Sequence, residues 1–87
     1  MDEPEIDTDR IDEAVLALMY LTLHDIDELD GFARAWKGFE WETLARLHAK
    51  NFIENPVGKA KSVVLTPEGV QHSRALFRRL FKRGESD

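Results

Sequence analysis

The stretch AVLALMYL, residues 14–21, is apolar around nearly its whole helical circumference, and no other feature narrows the fold as much. On a helix, Ile11, Val15, Leu18 and Thr22 share one face, while Leu16, Met19, Tyr20 and Leu23 share another. Such a helix either runs through the centre of a fold or lends one side to a partner. The chain has 87 residues, the size of one small domain, and a single core of that size can hardly wrap both faces. The expectation is a homodimer with Val15, Leu16, Met19, Tyr20 and Leu23 at its seam.

There is no cysteine, so neither disulfides nor thiolate-bound metal can supplement the core. Apolar packing or self-association has to stabilise it, and a cytoplasmic protein is the natural reading. MDEPEIDTDR lacks the basic start and long apolar run of a secretion signal, and residues 14–21 are too short to span a bilayer. No membrane partner is expected. The domain organisation reads as a disordered acidic N-terminus over 1–5, one domain over 6–83 and a flexible C-terminus over 84–87.

The net charge of -5 conceals an uneven distribution. Residues 1–30 hold eleven acids and one base, Arg10, whereas residues 31–87 hold eleven bases and six acids. An acidic first part is joined to a basic body. That asymmetry suits attraction between the two parts, solvated faces, or a basic half turned towards nucleic acid.

Local signals place the elements. Asp7 or Thr8 can cap the first helix, with Ile6 and Ile11 spaced for a staple across an Asp7 cap; Asp9, Asp12 and Glu13 put negative charge in the opening turns, where the helix dipole favours it. HDIDELDGF, residues 24–32, breaks the periodicity and reads as a linker or short polar helix. FARAWKGFEW, residues 32–41, collects Phe32, Trp36, Phe39 and Trp41; rings beside Arg34 and Lys37 could stack on bases, but their size assigns them to the core. A helix over about 41–52 then buries Trp41, Leu44, Ala45 and Leu47 and leaves Glu42, Thr43, Arg46, Ala49 and Lys50 on or near the other face. Phe52 and Ile53 lead into a short strand, Pro56, Gly58 and Lys59 make a turn, and KSVVLT returns as a second strand. Thr66 caps a last helix with Pro67 in its first turn, running to about Lys82 with Val70, Ser73, Phe77, Leu80 and Phe81 on its apolar stripe. The predicted fold class is mainly α with a small two-stranded β-hairpin, in a winged-helix-like single domain.

No catalytic, cofactor-binding or metal-ligating constellation emerges. Three scattered histidines lack zinc-ligand spacing. DIDELDG departs from a calcium loop, since Asp30 falls one position late and no glutamate closes the loop. Gly58 stands alone rather than in a phosphate-binding loop, neither Ser62 nor Ser73 sits in a nucleophile elbow, and the neighbours His24 and Asp25 point apart on a helix. The expectation is a non-enzymatic protein without cofactor. Its last helix carries Arg74, Arg78 and Lys82 at intervals of four residues, a row suited to solvent, phosphate or an acidic partner.

LARLHAKNFIE, a hairpin and then VVLTPEG resemble the end of a bacterial winged-helix domain. The chain as a whole resembles a small uncharacterised bacterial family marked by IDEAVLAL, RAWKGF.W..L.RLH and PVGKAKSVV.T.EG. The winged-helix resemblance implies that Thr43, Arg46 and Lys50 face bases and that Lys59 and Lys61 face phosphates. Against it, the preceding helix of a helix-turn-helix is short and glycine-interrupted, and Glu42 stands four residues before Arg46, placed to pair with it. The function expected is an interaction or regulatory module with a protein partner and weak or no nucleic-acid binding; the alternative is a DNA-binding transcriptional regulator.

Overall fold

A computed structural model describes residues 5–83. The expected disordered 1–5 and flexible 84–87 segments fall, apart from residue 5, outside the described residues. Three helices, α1 (Thr8–Met19), α2 (Trp41–Ala49) and α3 (Pro67–Phe81), pack with a two-stranded antiparallel sheet of β1 (Ala33–Trp36) and β2 (Ser62–Leu65). A 3-10 turn over Tyr20–Thr22 ends α1. The mainly helical class with a small two-stranded sheet is as the sequence leads one to expect.

The pairing within that sheet differs. β2 does not chiefly pair with the segment after α2; it pairs with β1, Ala33 opposite Leu65 and Trp36 opposite Ser62. The segment after α2 contributes one bridge, Ile53 to Leu65. Residues 24–32 are the reason β1 can form. The Asp27 carboxylate accepts the amides of Leu29 at 2.8 Å and Asp30 at 3.3 Å, and Gly31 takes a positive φ of 84°, turning the chain back. His24 then exchanges two backbone hydrogen bonds with Arg34, each 2.9 Å, and caps the outer edge of β1.

The caps follow the sequence closely. Asp7 caps α1 by accepting the Arg10 amide at 3.2 Å. The Thr66 hydroxyl accepts the Gly69 amide at 3.0 Å, with Pro67 in the first turn of α3. Gly69 is needed for a second reason, because a Cβ there would lie 1.9 Å from the Phe52 carbonyl oxygen. α2 ends with Asn51 at φ 67° and the Phe52 amide bonded back to the Leu47 carbonyl at 3.0 Å, a left-handed stop that asparagine tolerates.

The core gathers Leu16, Ala17 and Met19 of α1, Ala33 and Ala35 of β1, Leu44 and Leu47 of α2, Ile53, Val63 and Leu65, and Val70 and Leu76 of α3. Ser73 donates to the Leu16 carbonyl at 2.7 Å where α1 and α3 cross. Trp36 and Trp41, expected in the core, are 48% and 54% exposed, while Phe32 and Phe39 are half-buried. β1 turns its alanines inward and Trp36 outward by strand alternation, and α2 buries Thr43, Leu44 and Leu47 rather than Trp41 and Ala45. The contacts of α1 explain that rotation.

Candidate functional site

The best-defined polar constellation joins α1 to α2. Asp12 lies one turn before Leu16 and two before Met19, on the inner face of α1, and is only 2% exposed. Its carboxylate accepts the Arg46 Nε at 2.8 and 3.0 Å and the Lys50 Nζ at 2.8 Å. Lys50 also donates to Asp9 at 3.0 Å, and the Arg46 Nη2 donates to the Thr43 hydroxyl at 3.1 Å. Thr43 passes its own proton to the Glu40 carboxylate at 2.9 Å. Among the described residues no buried side-chain polar atom is left without a partner. Asp12 is thus a buried charge that its neighbours satisfy, the condition under which burial is tolerable.

The hydrogen bond to Asp12 is the main reason the Lys50 ammonium titrates above its ordinary 10.5; partial burial pulls the other way, and Asp9 adds to the rise. Beside this cluster a groove of about 500 Å³ opens between α1, the end of α2 and α3. Leu16, Leu47, Phe52 and Leu76 line it together with Lys50, His72 and Arg79. His72 rests against Phe52, ring centres 4.6 Å apart, and Arg79 meets Glu13 at 3.4 Å on the surface.

Several sequence expectations change here. Thr43 is fully buried and Arg46 and Lys50 turn towards α1, because Asp12 gathers them; none of the three is presented on an open recognition face. Arg46 is held by Asp12, not by Glu42. Lys59 and Lys61 stand exposed on the loop before β2, and Arg74, Arg78 and Lys82 lie exposed along or just beyond α3, so the structure does not gather the eight residues into one surface. In the expected seam, Leu16 and Met19 are corrected to the subunit's own core, where α2 and α3 cover them. Val15 and Leu23 pack partly against that core, and Tyr20 meets Phe77 with ring centres 4.9 Å apart.

The sequence reading missed Asp12 as an anchor and took it for a helix-dipole charge. The signal was its register: an acid at the i-4 and i-7 positions of two core residues, with a cation pair spaced four apart on another helix. A family model described as a domain of unknown function (DUF6429) matches residues 7–83, which takes in every element of the fold. The chain belongs to this family. The uncharacterized protein y4hR of Sinorhizobium fredii (strain NBRC 101917 / NGR234) is 56% identical over 79 residues, covering 91% of this chain and 99% of the relative. No solved structure matches. The family match spans both sides of the Asp12 cluster, so the domain that it defines includes α1 as well as the wing-like part.

Among the described residues no group of three or more metal-ligating side chains comes together, and no helix is long and apolar enough to cross a membrane.

Proposed function

We propose that this chain is a non-enzymatic interaction module of the bacterial cytoplasm that pairs with a second copy through the outer face of α1. The observation that carries the reading is the stripe of Ile11, Val15, Leu18 and Leu21. Ile11 and Leu18 are each 37% exposed and Leu21 is 65% exposed, on the side of α1 opposite Asp12 and Leu16. Ala14, beside this stripe, lines a surface hollow with Leu80 of α3, so the apolar surface continues towards the exposed Leu80 and Phe81. A second copy suits it because the chain is complementary to itself in charge: the acids crowd α1 and the loop after it, and the bases lie along α3.

The winged-helix regulator is the second reading. A helix, a loop bearing Lys59 and Lys61, and a strand in sequence support it. The Asp12 cluster weighs against it, since Arg46 and Lys50 would have to leave a buried carboxylate to reach DNA. Sedimentation at micromolar concentration separates the readings. A dimer that Leu18→Glu converts to a folded monomer supports pairing through α1; a monomeric wild type that binds duplex DNA supports the regulator.

A further inference from the structure

The outer face of the sheet has no part in the core or the Asp12 cluster. Strand alternation puts Arg34 and Trp36 of β1 on that face with Ser62 and Val64 of β2. Arg34 reaches across the strands, its Nε donating to the Ser62 hydroxyl at 2.8 Å and its Nη2 approaching the Ser62 carbonyl at 3.5 Å. Because Ser62 is the register partner of Trp36, guanidinium and indole lie side by side on one face. The ring also lies close over Gly38: a Cβ there would sit 2.2 Å from the indole Nε1. Trp36 nevertheless remains about half exposed.

The next loop brings positive charge to this platform. The Lys37 ammonium donates to the carbonyls of Pro56 at 2.7 Å and Gly58 at 3.1 Å, and the Lys37 amide donates to the Lys61 carbonyl at 3.1 Å. These bonds tie residues 56–61 to the end of β1 and hold Lys59 and Lys61 close to it. Among the described residues neither Lys59 nor Lys61 has an ion-pair partner. A hollow of about 250 Å³ separates Arg34 from the loop, and Glu54 is its sole acidic lining residue.

We propose that this face binds single-stranded nucleic acid, a base stacking on Trp36 while Lys59 and Lys61 meet the phosphates and the Arg34 plane extends the stacking surface. An exposed ring beside a row of cations is the combination that binds unpaired bases without sequence preference. The sheet is nearly flat here and offers no helix to a major groove, so a single strand suits it better than a duplex. The surface rests on different elements from the α1 stripe, and its success or failure is independent of pairing.

The test uses the full chain carrying Trp41→Phe, which leaves Trp36 as the only tryptophan. An oligouridylate of about twelve nucleotides is titrated at about 50 mM salt. Expected are saturable binding, quenching of Trp36 emission, and weaker binding to a duplex of equal length. In the wild-type background, Trp36→Leu should weaken binding about tenfold and Trp36→Phe much less. Lys59→Ala with Lys61→Ala should lower the salt dependence as well as the affinity. If Trp36→Leu fails to fold, the quenching and the lysine pair still decide. Absent binding, binding that leaves Trp36 unquenched, tighter binding to the duplex, or equal competition by polyglutamate of the same charge would each overturn the proposal; the last would assign the face to an acidic protein.

Discussion

The two faces of α1 read alike as sequence and meet different fates. The inner face sends Leu16 and Met19 into the core and holds the one buried carboxylate among the described residues, Asp12; the outer face leaves Ile11 and Leu18 partly in water. Composition does not separate them, since each carries bulky aliphatic residues. What separates them is the partner that each face finds. Asp12 finds Arg46 and Lys50 on α2, which fixes the rotation of both helices, and α3 closes over the same side through the Ser73 bond to Leu16. Helix amphipathicity is therefore decided here by an ion pair as much as by apolar area.

Removing the acid is the most severe way to break this difference. Asp12→Ala should cost about 3 to 5 kcal/mol, because two cations lose a buried counterion, and urea melting measures it. A loss below about 1 kcal/mol would show that water readily replaces the carboxylate. The two leucine truncations sharpen the contrast. Leu16→Ala should cost about 2 to 5 kcal/mol, whereas Leu18→Ala should change subunit stability by about 0.5 kcal/mol or less while weakening pairing. Equal costs would mean that both faces are packed within one subunit.

The smallest effect is a pH dependence confined to the inner face. The folded Lys50 titrates above its unfolded value, so its contribution is complete below about pH 10 and is lost as pH rises through the folded pKa. Alkaline melts of wild type should lose stability over that range more steeply than those of Lys50→Met. Parallel curves would remove Lys50 from the clasp. The effect is small because Lys50 remains partly open to solvent.

Where interactions are local, the sequence was readable. Asp7 and Thr66 cap the helices they precede, and Pro67 stands where its missing amide costs nothing, because each device acts within one turn of its own residue. β2 was also legible from its β-branched run. β1 was not: Ala33–Trp36 is four residues long and has small inward side chains, so it becomes a strand only when β2 and His24 supply partners on its two edges. The aromatic cluster misled for a related reason. Ring size predicts burial on average, but strand alternation sends Trp36 outward whatever its size.

Length, charge asymmetry, the caps and the apolar run sufficed to determine one mostly helical domain with a small sheet and no disulfide. Folding alone decided which face of α1 became core, that Arg46 and Lys50 are turned towards a carboxylate, and that a tryptophan is displayed beside Arg34. The reason is range: Asp12 and Arg46 are 34 positions apart and Arg34 and Ser62 are 28 apart, so neither pairing leaves a periodic trace in the chain. Such contacts arise only when packed elements bring distant side chains into register, and the free energy of satisfying a buried charge then selects among packings that apolar pattern alone leaves equivalent.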